Sequence, residues 1–351
     1  MKKVLVTGGT GVVGKTLVKQ LIKKGCYVRI LTRHKFHAGS ENFIDLTTFA
    51  RKDQDTLNGK DQSLSKIEFF FGDIRDADTL ARAVKDVSTV FHLAAVLDNY
   101  SLSRKDYFQG KTLYDVYREV NVKATEMLVK QACKAGVDRI VFFSSISVYG
   151  KNGRDNFADE NTPLCPDSLY AVSKVEAEKH VLAGINHKQE PIGVVLRPAS
   201  VYGPKEKKNY TRLIKIMQHG FFVTVGKGRI KRTLIHDHDL AGAAIIAAEN
   251  SKACGNIYNV SDGRVHSLKD IRQAIAGALD KKYVNICIPE KLVCFLIFLL
   301  GKFKNVGSIA SGLENMVTDT AVSADKIQYE LGFKPETQLY EGWENAVKRA
   351  L

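Results

Sequence analysis

The sequence lacks the cysteine pairs that mark disulfide or redox proteins. Its six cysteines lie far apart and form no Cys-x-x-Cys pair. They are Cys26, Cys133, Cys165, Cys254, Cys287 and Cys294. In a chain of 351 residues such spacing indicates reduced thiols, mostly filling the core. The N-terminus begins with an apolar strand rather than a cleavable leader, so we expect a cytoplasmic protein.

Acidic residues are scarce relative to basic ones. The 38 Asp and Glu residues oppose 52 Lys and Arg residues, which gives a net charge of +14. This excess favours anionic ligands such as phosphates. No helix-turn-helix, zinc-finger or RNA-binding signature accompanies it, so we predict neither nucleic-acid binding nor a metal site.

The longest apolar run, residues 292–300, is too short to span a membrane. It has nine residues, whereas a membrane helix needs about 20. We therefore expect no integral membrane segment, and interpret the run as a buried helix or one wall of an apolar pocket. Attachment to a membrane surface is the alternative, because Lys291 and Lys302 flank the run and suit an interfacial site.

A strand–turn–helix unit opens the chain. An apolar strand at 4–6 precedes a glycine-rich turn, and apolar residues at helical spacing follow it. Glycines in such a turn let the backbone approach a pyrophosphate, and the helix N-terminus supplies N–H donors. The unit predicts dinucleotide binding by Gly8, Gly11, Val12, Val13 and Gly14.

Strands and helices then alternate along the chain. We predict further strands at 27–31, 67–71, 89–93, 139–143, 192–196 and 256–260. We predict helices at 76–84, 168–182, 241–250 and 268–279, and either one long helix or two joined ones at 112–135. This alternation is typical of an α/β protein with a Rossmann-type, doubly wound parallel sheet. We assign 1–197 to a dinucleotide-binding domain with the catalytic residues. The looser pattern of 198–351 predicts a smaller, mainly substrate-binding lobe interleaved with the sheet.

The residues after the second strand bear on the choice of cofactor. An NAD site has Asp or Glu there to accept from the ribose 2′-hydroxyl, whereas this chain has Thr32 and Arg33. A guanidinium can bind a 2′-phosphate through paired, charge-assisted hydrogen bonds. We therefore favour NADP(H) with Arg33 as the phosphate contact. NAD(H), with Arg33 in a solvated basic loop, is the alternative.

Two clusters of hydroxyl and amine side chains point to proton transfer. Ser145 follows the strand at 139–143, and Tyr170 and Lys174 lie four residues apart on one helical face. An ammonium close to a phenol favours the phenolate and lowers the phenol pKa. A serine at a neighbouring strand end can hydrogen-bond a carbonyl or alkoxide oxygen. Together they predict a proton-handling site beside a hydride carrier.

Taken together, these motifs resemble the extended short-chain dehydrogenase/reductase superfamily, that is, the NAD(P)-dependent epimerase/dehydratase family. The resemblance implies a catalytic set of Ser145, Tyr170, Lys174 and Asn121. It places Asp73 near the adenine and Arg232 on a substrate diphosphate. The other implied cofactor contacts are Ile74, Leu93, Ala94, Ala95, Tyr170, Lys174 and Pro198. The implied substrate contacts are Ser145, Ser147 and Arg232.

Departures from the superfamily pattern narrow the chemistry. Its dehydratases carry an Asp-Glu pair where this chain has Ile146 and Ser147, and its epimerase-reductases carry a cysteine at the position of Ser147. The resemblance therefore implies hydride transfer on a secondary alcohol or ketone, as net redox chemistry or 4-epimerisation. A basic contact to a 2′-phosphate favours net reduction, because 4-epimerases of this superfamily generally retain NAD.

The substrate class has two candidates. Basic residues favour a nucleotide-sugar, namely Arg232 with Lys205, Lys207, Lys208 and Arg212. Against it, Ser200 replaces an asparagine frequent in nucleotide-sugar members. The apolar run 292–300 favours a lipophilic ketone or alcohol, as in hydroxysteroid-dehydrogenase-like and flavonoid-reductase-like members. We favour the nucleotide-sugar.

Two further expectations concern assembly and activity. The helices at 112–135 and 168–182 resemble those that form a four-helix dimer interface in the superfamily, which implies a homodimer. A non-catalytic NADP(H) sensor is the alternative to an enzyme. A sensor would have a broken catalytic set, whereas Ser145, Tyr170 and Lys174 are all present.

Overall fold

Buried apolar strands alternate with amphipathic helices, and they build one parallel sheet. A computed structural model describes residues 2–33, 66–97, 111–150, 157–204, 209–226, 228, 230–300 and 320–350. The strands in these ranges are β1 (Lys3–Thr7), β2 (Tyr27–Thr32), β3 (Ile67–Phe71), β4 (Thr89–His92), β5 (Arg139–Phe143), β6 (Gly193–Pro198), β7 (Ser200–Tyr202), β8 (Phe221–Val225), β9 (Lys231–Arg232), β10 (Leu234–His236), β11 (Ile257–Val260), β12 (His266–Ser267) and β13 (Val284–Ile288).

Helices connect most of these strands. They are α1 (Val12–Lys23), α2 (Ala77–Ala83), α3 (Leu113–Tyr117), α4 (Ala124–Lys134), α5 (Leu169–Leu182), α6 (Asn209–Gln218), α7 (Asp237–Glu249), α8 (Leu268–Leu279), α9 (Glu290–Leu300), α10 (Asp325–Leu331) and α11 (Leu339–Ala350). A π-helical turn at Arg118–Lys123 joins α3 to α4, and 3₁₀ turns lie at Ile146–Tyr149 and Ser251–Ala253.

The central sheet has the order β11-β6-β5-β4-β1-β2-β3, and its neighbouring strands are parallel. Helices α1 and α7 pack on one face, and α2, α4 and α5 cover the other. The predicted α/β fold with a doubly wound parallel sheet is confirmed. The seven predicted strands match the sheet strands to within two residues at each end.

The strand order reverses between β1 and β4. From this pair the chain builds outward through β2 and β3 on one side, and through β5 and β6 on the other. The carboxyl ends of parallel strands meet at one edge, and a crevice opens where the order reverses. The site therefore belongs at this edge, beside the ends of β1 and β4.

The C-terminal half contributes both to the sheet and to a smaller cluster. Strand β11 returns to the sheet beside β6, with Ile257 opposite Val195. Pairs β7–β10, β8–β13 and β9–β12 form three small sheets among the described residues. Trp343 is buried and stacks on Tyr202, with ring centroids 4.8 Å apart, in a cluster with residues of α6 and α8. The domain boundary at 197/198 stays a prediction.

The structure adds detail to two predicted helical segments. The segment 112–135, predicted as one long helix or two joined ones, forms two helices joined by the π-helical turn at Arg118–Lys123. The helix predicted at 241–250 already begins at Asp237, because the His236 side chain accepts a hydrogen bond from the backbone N–H of His238 and caps it. Two acidic residues in its first turn, Asp237 and Asp239, further favour this start.

The apolar run 292–300 forms the helix α9, but its described side chains are mostly exposed. Val293 is buried at 1% exposure, whereas Leu292 is 48% and Phe295 is 55% exposed. The predicted buried helix is therefore wrong for Leu292 and Phe295, because an apolar run on all faces carries no period to show which face packs inward. None of the helices in the described ranges has both the length and the apolar character needed to cross a membrane.

Some predictions fall on segments outside the described residues. The sequence predicts a helix or short turns in the long connection 34–66, and a polar connection at 98–111. Residues 34–65 and 98–110 of these segments lie outside the described residues, as does the basic loop with Lys205, Lys207 and Lys208. The side chain of Arg212 lies outside them as well.

Gly193→Ala should destabilise the fold, because an added Cβ would lie 2.0 Å from the Val181 carbonyl oxygen and force β6 away from α5. We expect a loss of about 1–3 kcal/mol. Gly277→Ala in α8 is the matched control, since its Cβ would meet nothing within 4 Å and should stabilise the helix by about 0.5–1 kcal/mol. Urea unfolding of both variants measures the difference. Equal effects would contradict the tight β6–α5 packing.

Candidate active site

The glycine turn lies directly against the end of β4. Gly8 has φ +72°, and a Cβ there would lie 2.8 Å from the Ala94 nitrogen. A Cβ on Gly14 would lie 2.2 Å from the Gly8 carbonyl oxygen, so α1 starts immediately beside the turn. Gly11 caps α1 without a side-chain hydrogen bond, which leaves the first backbone N–H groups of the helix for an anion. This backbone cradle fits the pyrophosphate of a dinucleotide.

An arginine and a carboxylate that form an ion pair, Arg75 and Asp73, lie after the end of β3, and a second arginine, Arg33, follows β2. The Arg75 guanidinium donates to Asp73 through Nη2–Oδ2 at 2.7 Å and Nε–Oδ1 at 3.0 Å. Burial raises the pKa of Asp73, but the Arg75 hydrogen bonds and the Arg33 charge outweigh it and hold that pKa below its usual range. Arg33 is exposed directly after β2. The charge of Arg33, the predicted 2′-phosphate contact, thus acts on Asp73, the predicted adenine contact.

Ser145, Tyr170 and Lys174 come together at the end of β5. The side chains of Ser145 and Tyr170 are hydrogen-bonded to each other, and Ser145 Oγ accepts from the Ser147 backbone N–H at 3.2 Å. Lys174 Nζ donates to the Phe143 carbonyl at 2.7 Å and lies 5.8 Å from the centroid of the Tyr170 ring. The sequence-predicted catalytic side chains thus form one cluster.

Burial dominates the electrostatics of this cluster. It raises the pKa of Tyr170 above its ordinary value, although the Ser145 hydrogen bond opposes the shift. Burial also lowers the pKa of Lys174 to about 7, against the charge of Glu178. The expected phenolate is therefore wrong for the protein described here, because the lysine amine bonds a carbonyl of β5 and both groups are desolvated. Tyr170 therefore keeps its proton at neutral pH.

Asn121 lies in the π-helical turn and connects two elements. Its Nδ2 donates to the Val96 carbonyl and to Ser173 Oγ, each at 3.0 Å, and its Oδ1 accepts from Val96 N–H at 2.8 Å. These bonds fix the segment after β4 against helix α5, which carries Tyr170 and Lys174. π-Helical turns are frequent at functional sites. The role of Asn121 in a proton relay stays a prediction.

Sequence reasoning missed a buried hydrogen-bond chain beneath the turn. Thr7 Oγ1 lies 2.7 Å from His92 Nδ1, and His92 Nε2 lies 2.8 Å from Thr125 Oγ1. Thr125 Oγ1 donates to the Asn121 carbonyl at 2.7 Å. Burial lowers the pKa of His92 to about 3, so the ring is neutral. The chain links the end of β1, through β4, to Asn121. Polar residues at the ends of adjacent predicted strands were its sequence signal.

The remaining predicted cofactor contacts lie at the same edge. Ile74 is buried after β3, Pro198 ends β6, and the others are half-buried: Val12, Val13, Leu93, Ala94 and Ala95. The described ranges contain no group of three His, Cys, Asp or Glu side chains placed to hold a metal ion.

The predicted substrate contacts lie on two different elements. Ser147 Oγ is buried, and it has no hydrogen-bond partner within the described part of the chain. Arg232 lies in β9 of the C-terminal half, where its Nη1 donates to Thr320 Oγ1 at 2.9 Å.

Comparison with known proteins assigns the chain to a family. A profile of the NAD dependent epimerase/dehydratase family matches residues 4–261. UDP-glucose 4-epimerase of Vibrio cholerae is 30% identical over 360 residues, covering 100% of this chain and 96% of that protein. A 3-beta-hydroxysteroid dehydrogenase of Mycolicibacterium neoaurum is 30% identical over 303 residues, covering 83% and 74%.

Solved structures agree on the fold. A UDP-glucuronic acid 4-epimerase from Bacillus cereus in complex with NAD is 22% identical and superposes with a TM-score of 0.73, covering 99% of this chain and 98% of that one. This chain belongs to the NAD dependent epimerase/dehydratase family, which confirms the superfamily resemblance. It is an NAD(P)-dependent oxidoreductase or epimerase, and this assignment disfavours the non-catalytic sensor.

Lys174→Met should change how stability depends on pH. The folded protein holds the Lys174 proton only below about pH 7, whereas the unfolded chain holds it to about pH 10.4. The unfolded state binds the extra proton between these values, so the wild type loses stability as pH falls from about 10 to about 7. We therefore expect the melting temperature of the variant to rise relative to that of the wild type as the pH falls from about 10 to about 7. Scanning fluorimetry at both pH values measures this difference, and a difference that does not change with pH would contradict the lowered pKa of Lys174.

Proposed function

We propose that this enzyme transfers a hydride to or from a secondary alcohol or ketone of a nucleotide-sugar, using Ser145, Tyr170 and Lys174. The observation that carries the proposal is the cluster of these three side chains at the carboxyl edge of the sheet. The glycine cradle and the crevice between β1 and β4 share that edge. The bound dinucleotide supplies or accepts the hydride.

Each residue has a defined task in the direction of reduction. Tyr170, kept protonated by burial, donates its proton to the developing alkoxide oxygen. Ser145, hydrogen-bonded to Tyr170, orients and polarises that oxygen. Lys174 is fixed by the Phe143 carbonyl and holds the cofactor ribose. Asn121 supports helix α5 through Ser173.

Three observations support the nucleotide-sugar class. The Vibrio cholerae relative, a UDP-glucose 4-epimerase, aligns along almost the full length of both chains. An unpaired buried hydroxyl is costly, so the Ser147 hydroxyl is suited to a hydroxyl-rich substrate. Arg232 provides a cation for a diphosphate. A lipophilic alcohol is the second candidate, because a 3-beta-hydroxysteroid dehydrogenase is equally identical and Leu292 and Phe295 are exposed.

Thermal-shift measurements with NAD⁺ or NADP⁺ present should separate the two substrate classes. We expect UDP-glucose or UDP-glucuronic acid to raise the melting temperature by several degrees, since saturation at about 100 times Kd stabilises by about 2.7 kcal/mol. The shift caused by a 3β-hydroxysteroid is measured for comparison, and the shift caused by UDP alone tests recognition of the nucleotide. A shift with the steroid but with no UDP-sugar would overturn the nucleotide-sugar proposal in favour of the lipophilic one.

Tyr170→Phe should lower kcat by about a hundredfold to ten-thousandfold, because it removes the proton donor. Cofactor affinity should stay within about twofold, since the ring remains. Tyr329→Phe, at a tyrosine that is 92% exposed, is the matched control and should be silent. Steady-state kinetics and a fluorescence titration of the dinucleotide measure both effects. A fully active Tyr170→Phe enzyme would remove Tyr170 from the mechanism.

We also propose that NADP(H) is preferred over NAD(H). The residue that directly follows β2 is Arg33 rather than a carboxylate. The Arg75 guanidinium bonds Asp73, and the Arg33 charge acts on the same carboxylate. Their positive charge suits a 2′-phosphate, which a carboxylate would repel. The Arg75 bonds also neutralise Asp73, the carboxylate expected near the adenine.

Arg33→Asp should weaken NADPH binding about tenfold or more, because a charge-assisted hydrogen bond contributes about 1.5–3 kcal/mol. NADH binding should change little. Lys24→Asp is the matched charge reversal, because Lys24 pairs with Glu249 at 2.7 Å beyond the end of α1, at the opposite edge of the sheet. Isothermal titration with both dinucleotides measures the change. Equal losses for NADPH and NADH would refute the 2′-phosphate contact.

We further propose a homodimer that works in a reducing compartment, the cytoplasm. Tyr114 and Leu169 expose apolar surface near the starts of helices α3 and α5, which suits an interface there. All six cysteines lie in the described ranges and carry free thiols.

A further inference from the structure

Helix α5 carries a buried carboxylate beside the proposed catalytic pair, Tyr170 and Lys174. Glu178 lies one turn beyond Lys174, and Tyr170, Lys174 and Glu178 follow each other at intervals of four residues. Such spacing places all three on one face of the helix. Glu178 is 3% exposed, so its carboxylate is removed from water.

The Glu178 carboxylate is bound by two neighbouring strand ends. Arg197 of β6, itself 2% exposed, donates through Nε–Oε1 at 2.9 Å and Nη2–Oε2 at 2.6 Å. The Ser144 hydroxyl donates to Oε1 at 2.5 Å. Ser144 directly precedes Ser145. One carboxylate therefore holds together helix α5, the end of β5 and the end of β6.

The network continues away from the site. Arg197 Nη1 donates to the Tyr149 hydroxyl at 2.8 Å, and that hydroxyl donates to Asn259 Oδ1 at 2.8 Å. Asn259 lies in β11. A buried ion pair of this kind contributes little net stability compared with apolar packing, whereas removing one partner leaves an uncompensated charge. Its location therefore suggests a role in arranging the site.

The charge around Lys174 depends on this pair. The groups that face Lys174 or pack beside it come from α5, β4, β5 and β6: Tyr170, Glu178, His92, the Phe142 ring at 4.6 Å, the Phe143 carbonyl and, behind Glu178, Arg197. His92 and Tyr170 are neutral at neutral pH. Among the described residues, Glu178 is the carboxylate whose charge acts on Lys174.

We propose that Glu178, paired with Arg197, is a positioning residue that holds Ser145 and Lys174 in register and supplies the negative charge that acts on the Lys174 amine. The inference rests on the proposed catalytic roles of Ser145 and Lys174. It does not depend on which substrate the enzyme takes.

The Lys174 titration can be measured directly, without any substrate. We would label the full-length protein with ¹³C-lysine and follow the Lys174 Cε signal, assigned by its loss in Lys174→Met. Glu178→Gln leaves the Arg197 cation near Lys174 without its anion, which disfavours the ammonium. We expect Lys174 to titrate about one pH unit or more below wild type. The double variant Glu178→Gln/Arg197→Gln removes both charges. Its Lys174 should titrate at a pH between that of the wild type and that of Glu178→Gln.

A matched control uses the same charge change on the same helix. Glu176→Gln lies two residues from Lys174, and residues at that spacing do not share a helical face, so the titration should stay at its wild-type pH. A folded Glu178→Gln protein with the wild-type titration would overturn the proposal.

If Glu178→Gln does not fold, Glu178→Asp and the double variant decide the outcome. Glu178→Asp keeps the charge, so Lys174 should titrate near the wild-type pH while the double variant titrates lower. Coincident titrations of these two variants would show that the carboxylate charge has no influence on Lys174, and would also overturn the proposal.

Turnover provides a second readout once a substrate is known. The alkaline limb of the kcat–pH profile should move to lower pH in Glu178→Gln and return partly in the double variant. A purely structural role would instead lower kcat without moving the limb. A wild-type enzyme inactive on every nucleotide-sugar would refute the proposed function, yet the NMR titration would still test Glu178.

Discussion

The close approach of the Gly8 backbone to the end of β4 is the constraint on which the site depends. A side chain at Gly8 would meet the Ala94 nitrogen at 2.8 Å, so β1 and β4 can end side by side only with glycine there. Their parallel pairing creates the reversal in strand order, and with it the crevice. The Thr7–His92–Thr125 chain braces the same junction from beneath.

Burial, more than proximity, sets the chemistry of the catalytic cluster. In water, an ammonium four residues from a tyrosine would favour the phenolate. In this protein both Tyr170 and Lys174 are removed from water. The lysine amine bonds the Phe143 carbonyl, and the tyrosine retains its proton. This arrangement suits a proton donor in reduction. It also makes the protonation of Lys174 sensitive to nearby buried charges, of which Glu178 acts on it directly.

Local patterns predicted the elements well where each pattern had one physical cause. The seven sheet strands followed from short, buried apolar runs, and the site cluster followed from Ser145, Tyr170 and Lys174 lying at the ends of such elements. The patterns failed in two places. The His236 side chain, which precedes the helix, caps α7 and lets it begin four residues before the predicted position. The apolar run of α9 has no periodicity, so it could not indicate which side would pack inward.

The sequence by itself determined the parallel α/β fold, the glycine turn and the three residues proposed to handle protons, because periodicity and motif spacing are local properties of the chain. Only the tertiary structure decided the charge states and the supports of those residues. The hydrogen bonds of Glu178 with Arg197 and Ser144, and the effect of the Arg33 charge on Asp73, join positions far apart in sequence. Desolvation and pairing of this kind arise only when separate elements pack together, so no local pattern contains them.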